Sequence, residues 1–189
     1  MCVLCDGGSE EDLLRSEFMR IAVDGYTVVF VESESPWCYT IGLQQSFDQP
    51  ELVVTGRNEE HCAHVLVPLL ERITNGERFS SSSPPIDTCD CTTVSFGPVH
   101  PAQWARGRFD QWVRFYDWAG VEPPAQRAIQ VLWPNSYGEF PTGGPEFCTT
   151  HRGACQPLLD DEPRHNVHSG TNREQRRRAK HGHGKRRRP

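Results

Sequence analysis

Residues 26–55, YTVVFVESESPWCYTIGLQQSFDQPELVVT, decide the fold. They contain three short runs rich in β-branched and aromatic residues, YTVVFVE (26–32), WCYTIGL (37–43) and ELVVT (51–55), divided by Ser, Pro, Asp and Gly. That is the composition of strands joined by turns. The connections are too short for a crossover helix, so the runs are expected as neighbouring, mostly antiparallel strands. Before them, Ser9-Glu10-Glu11-Asp12 has the form of a capping box, with acids where the helix dipole favours them. Leu14, Phe18, Ile21 and Ala22 follow at i, i+4, i+7 and i+8, which predicts a helix over 10–23 that stops at Gly25.

Beyond the three runs, Asn58 caps a second predicted helix whose apolar stripe is Cys62, Val65, Leu66, Leu69, Leu70 and Ile73. Pro68 lies inside that stripe and is expected to bend or interrupt it. SSSSPP (80–85) is a loop by composition, CTTVSFG (91–97) a strand, and AIQVLW (128–133) the last clear strand. Between those strands, Phe109, Trp112, Val113 and Tyr116 are spaced as one helical face within the run from Trp104 to Trp118. No internal repeat is present. The expectation is an α+β fold: one compact acidic domain over 1–163 with a mostly antiparallel sheet and about three helices, then a basic tail over 164–189 that is disordered or conditionally helical.

Charge separates the two parts. Residues 171–189 hold nine cations (Arg173, Arg176, Arg177, Arg178, Lys180, Lys185, Arg186, Arg187 and Arg188) and a single acid, Glu174, giving +8. The other 170 residues, with 11 cations and 24 acids, carry −13. An acidic body with a basic tail implies that the tail meets a polyanion while the body repels one. Thr171-Asn172-Arg173-Glu174 is a second capping box. The short arginine-rich stretch it opens is unstable alone in water and can fold on phosphates, as arginine-rich segments do on RNA. RNA, ribosomal RNA included, or another polyanion is therefore the expected partner; a solubilising tail is the plainer alternative.

No apolar stretch approaches the roughly 18 residues of a membrane span, and Asp6, Glu10, Glu11 and Asp12 occupy the region where a secretory signal would be basic and then apolar. The expected location is the cytoplasm, with no membrane partner and with the eight cysteines as reduced thiols. Composition leaves the oligomeric state open.

The start M-C-x-x-C-D-G, then D-G-Y-T-V-V-F-V-E, P-W-C-Y-T-I-G-L, P-E-L-V-V-T-G, Q-V-L-W-P-N, G-E-F-P and a late C-Q-P-L-L follow one another in an order that resembles the bacterial domain-of-unknown-function family 4262. The resemblance covers about residues 1–160 and leaves out the basic tail. It implies a compact mixed α/β bacterial domain and supplies no activity. Family members usually carry a small or aliphatic residue where this chain has Cys38, which argues against Cys38 as a family-wide catalytic thiol.

Several residues could carry chemistry. Cys2-x-x-Cys5 has the spacing with which two thiolates hold one face of a tetrahedral zinc ion, and Cys148 and Cys155, with His151 between them, are the best candidates to complete the site. Zinc is thus the one cofactor the letters suggest, and unrelated loop thiols are the competing account. Tyr39, Thr40, Gln130, Trp133 and Gln156 are candidates for lining a ligand pocket; a core amide tying strands together is the alternative for Gln130. His61 and His64, at i and i+3, more often mark a solvated helix edge than a metal site. G-x-S-x-G, H-E-x-x-H and G-x-x-x-x-G-K-[ST] are all missing, so no catalytic residue is assigned and enzymatic function stays open. Two functional classes besides RNA binding follow: a zinc or thiol module at Cys2, Cys5, Cys148 and Cys155, and a protein-interaction module using exposed aromatics around Trp104, Trp112 and Trp118.

Overall fold

The computed structural model describes residues 7–89, 92–134, 138–141 and 156–160. Among them, five helices pack on a six-stranded sheet. The helices are α1 (Glu10–Asp24), α2 (Leu43–Phe47), α3 (Glu59–Thr74), α4 (Ala102–Ala105) and α5 (Asp110–Ala119). The strands are β1 (Thr27–Val31), β2 (Trp37–Ile41), β3 (Glu51–Thr55), β4 (Ile86–Cys89), β5 (Thr92–Pro98) and β6 (Ala128–Leu132). Their order across the sheet is β1-β2-β3-β6-β5-β4. Every neighbouring pair is antiparallel except β3 and β6, which run parallel with Val53 opposite Gln130.

Both sheet faces are covered, so the domain has three layers. On one face the α3 stripe, Cys62, Val65, Leu66, Leu69, Leu70 and Ile73, packs on Cys38, Leu52, Val54, Val94, Phe96, Ile129, Val131 and Trp133. On the other, α1, α4 and α5 bring Leu14, Trp104, Phe109, Trp112, Phe115 and Tyr116 onto Tyr39, Ile41 and Val53. Alternation along β2 accounts for the split, sending Cys38 to one core and Tyr39 and Ile41 to the other. Among the described residues no helix is long and apolar enough to cross a membrane.

The helix starts match their sequence signals. Ser9 and Asp12 close a reciprocal capping box at α1, and the Asn58 side chain accepts the His61 N–H at α3. Five expectations need correction. Pro68 does not interrupt α3, which runs unbroken because Leu66, Leu69 and Leu70 hold the turns on either side of it in the core. The aromatic run is two helices, not one, since Gly107 takes φ +76 and a Cβ there would meet the Asp110 carboxylate at 2.8 Å. The α5 core face is Trp112, Phe115 and Tyr116 behind Phe109, while Val113 turns outward. On α1 the buried face is Leu14 and Glu17; Phe18 and Ala22 are exposed because α5 shares the cover of that side of the sheet. Trp104 and Trp112 are likewise interior residues and only Trp118 is partly exposed, so the three do not make an aromatic docking surface.

Candidate functional site

Buried polar groups mark both ends of β3. At its start, the Glu51 side chain is fully enclosed beside the turn that leaves β2. Its Oε1 accepts the N–H groups of Gly42 (3.0 Å) and Gln44 (3.4 Å), and its Oε2 accepts the Leu43 N–H (3.4 Å) and the Thr40 hydroxyl (2.7 Å). The turn can present three successive N–H groups because Gly42 takes φ +104, where a Cβ would meet the Gly25 carbonyl at 2.9 Å. Thr40 in turn accepts the Leu52 N–H at 2.9 Å, a donor beyond the end of the β2–β3 ladder. Burial pushes the Glu51 carboxyl up to about 7, against the pull of its four hydrogen bonds. Nearby, the buried Tyr116 hydroxyl has no hydrogen-bond partner among the described residues, and burial, then the Glu51 charge, pushes its ionisation up.

At the other end, neutral amides do the joining. The Gln130 Nε2 donates to Thr55 Oγ1 (2.8 Å) and to the Pro157 carbonyl (2.7 Å), and its Oε1 accepts the Leu159 N–H (2.8 Å). Thr55 also donates to the Pro157 carbonyl at 2.7 Å. Gln156 accepts the Trp133 N–H (3.1 Å) and donates to the Val131 carbonyl (2.6 Å), the two backbone groups that a parallel neighbouring strand would engage. These bonds seat 156–159 on the sheet and place Leu159 in the core beside Tyr39 and Trp112.

Of the expected pocket residues, then, Gln130 and Gln156 are hydrogen-bonded ties, Thr40 belongs to the Glu51 network, and Tyr39 packs edge-on against Phe109 at 5.0 Å. Thr40 and Gln130 are both buried, in separate networks at opposite ends of β3. Trp133 is buried in the α3-side core beneath the Arg57 guanidinium, 3.6 Å from its ring centroid. The Arg57 carbonyl accepts from the Cys62 thiol at 3.6 Å. The Glu51 and Arg57 clusters escaped the sequence analysis, although an acid opening the otherwise apolar run ELVVT was a visible signal for the first.

The described residues form no basic face. Seven of the nine arginines among the described residues are committed. Arg15, Arg72, Arg114 and Arg127 pair with Glu11, Glu77, Glu10 and Asp48; Arg57 and Arg108 lie over Trp133 and Trp37; Arg78 donates to the Ile73 and Glu77 carbonyls. An open groove of about 690 Å³ between the β1–β2 turn and the start of α3 is rimmed by Glu32, Glu59 and Glu60 over Phe30, Pro36 and Ala63. His61 and His64 are exposed on α3, with His61 Nδ1 2.6 Å from Asn58 Oδ1. No cluster of three or more His, Cys, Asp or Glu suited to a metal ion occurs among the described residues. Cys2, Cys5, Cys148 and Cys155 lie outside them, as do the nine tail cations from Arg173 to Arg188 and the domain limit at 163.

No curated protein and no solved structure matches the chain. A family model does match, over residues 20–144, a span that takes in Gly42, Glu51, Cys62 and Gln130 and so most of the geometry above. The chain therefore belongs to the domain-of-unknown-function family DUF4262.

Proposed function

We propose that the chain is a cytoplasmic bacterial accessory protein that binds RNA through its tail, with Arg173, Arg176, Arg177, Arg178, Lys180, Lys185, Arg186, Arg187 and Arg188 contacting phosphates. One observation carries this: the segregation of charge into a +8 tail and a −13 remainder. The body adds support, because seven of its nine described arginines are held by acids, rings and carbonyls and an open groove on it is rimmed by carboxylates. Such a surface repels phosphate, leaving the tail as the source of attraction.

Binding of a fluorescent single-stranded RNA, measured by anisotropy for the full chain and for a chain ending at residue 170, tests the proposal. The full chain binds with little sequence preference and the shorter one does not. With about five phosphate contacts, log affinity falls against log salt with a slope near −3.5, from roughly 0.7 counterions released per single-strand contact. Arg176, Arg177 and Arg178 act by charge, so their replacement by Lys weakens binding much less than replacement by Ala. Equal binding by the two chains, or none by either at about 50 mM salt, refutes an RNA-binding tail.

A further inference from the structure

The groove between the β1–β2 turn and α3 holds three carboxylates that no cation among the described residues pairs with. Phe30 of β1, Pro36 of the turn and Ala63 of α3 make its apolar part, and Glu32, Glu59 and Glu60 make its rim. All three acids are exposed. The four ion pairs among the described residues use Glu10, Glu11, Asp48 and Glu77 instead, and Arg57, just before α3, is turned over the Trp133 ring at 3.6 Å. The helix dipole at the start of α3 favours Glu59 and Glu60, but Glu32 on the facing wall has no such compensation. Like charges facing each other across an apolar floor favour a cationic occupant with an apolar stem.

The last described segment passes beside it. The Thr55 hydroxyl donates to the Pro157 carbonyl at 2.7 Å, and the next residue, Gly56, donates its N–H to the carbonyl of Pro36 at 2.7 Å. The 13 residues from 161 to 173 can span about 40 Å when extended, roughly the width of a domain of this size. The groove is therefore within reach of the tail. Arg173, Arg176, Arg177 and Lys180 fall at i, i+3, i+4 and i+7, the spacing of one helical face. Guanidinium groups can pair with the rim carboxylates while their stems and planes lie on Phe30 and Pro36.

We propose that the tail, when no RNA holds it, docks in this groove of its own chain, with Arg173, Arg176, Arg177 and Lys180 against Glu32, Glu59 and Glu60. The carboxylates take the place of phosphates, so the groove and RNA compete for the same cations. Because the tail is tethered, its effective concentration at the groove is on the order of millimolar, and a weak contact suffices to hold it. The docking itself stands on the groove, its charge and the reach of the chain; its effect on RNA rests on the reading of the tail as the RNA-binding element.

Lys180 and Lys185 are the two lysines of the protein, so a carbodiimide, which joins a carboxylate directly to an amine, reads the docking. An equal mixture of unlabelled and 15N-labelled full-length protein is cross-linked, digested and mapped by mass spectrometry. The expected product joins Lys180 or Lys185 to Glu32, Glu59 or Glu60 within one chain, and is lost at about 1 M salt. No such link, or links as frequent to exposed acids elsewhere, such as Glu11, Asp117 and Glu122, overturns the groove as the site. Pairs of one light and one heavy peptide overturn docking within the chain. In the RNA assay, the variant Glu32→Gln, Glu59→Gln, Glu60→Gln binds about fivefold more tightly than wild type, the factor expected if roughly four tails in five are docked. An unchanged affinity, or an equal gain from Glu11→Gln, Asp117→Asn, Glu122→Gln, overturns the competition. Groove cross-links in a protein that binds no RNA uphold the docking and refute the RNA reading alone, so the two fail separately.

Discussion

The two ends of β3 leave the same problem, backbone donors and acceptors beyond the reach of the ladder, and meet it with different chemistry. At Glu51 a carboxyl group gathers three backbone N–H groups and a hydroxyl. At Thr55, uncharged amides of Gln130 and Gln156 do the same for Leu159, Pro157, Val131 and Trp133. A carboxylate accepts four donors in one small site but must leave water to do so; an amide offers fewer bonds and carries no charge to bury. The first end is therefore sensitive to pH and the second is not.

The largest effect is expected from Glu51→Leu. It strands the Gly42, Leu43 and Gln44 N–H groups and the Thr40 hydroxyl in a buried site, and should destabilise the fold by about 4 kcal/mol in urea unfolding. Next comes the pH dependence of Glu51 itself, read as wild type against Glu51→Gln. Its pKa in the folded protein, about 7, lies above its ordinary 4.5, so its contribution is fully present below about 4.5 and is lost as pH rises through about 7. The wild-type advantage should shrink by about 3 kcal/mol across that window; a constant difference would mean that the carboxyl stays charged throughout. The smallest effect, about 1–3 kcal/mol, is expected for Gln130→Leu, which leaves the Leu159 N–H and Pro157 carbonyl less well satisfied. That penalty should be the same on both sides of pH 7, and a pH-dependent one would erase the contrast between the two ends.

Much of the frame was legible because it is periodic. The α3 stripe from Cys62 to Ile73 and the β-branched runs of β1, β2 and β3 repeat at the helix and strand periods, and their side chains fill the core. Short or aperiodic features were not. The α2 helix is one turn between Gly42 and Asp48, too brief for an apolar stripe, and β4 contributes only Ile86–Cys89. The break at Gly107 depends on a backbone angle, which an aromatic-rich run with helical spacing conceals. Gln130 could be marked as a buried amide in need of a partner, but Thr55 lies 75 residues before it, and Pro157 and Leu159 lie 27 and 29 residues after it in a segment without regular structure. Glu51 is harder still, since an acid at a strand end reads as solvent-facing until the turn that surrounds it is known. Cys38 and Cys62 share a core only when β2 and α3 are stacked, a relation that local spacing does not contain.

The strand order also governs how fast the chain can fold. β6 is the last strand among the described residues yet it lies between β3 and β5, so β1-β2-β3 and β4-β5 can form as separate antiparallel units that share no hydrogen-bonded edge until residues 128–132 arrive. Until then the inner edges of β3 and β5 carry unpaired backbone groups open to the wrong strand. Joining them requires closing a loop of more than 70 residues between Val53 and Gln130, the kind of distant contact that slows folding. A folding rate limited by β6 insertion, and aggregation from chains caught before it, are thus written into the topology.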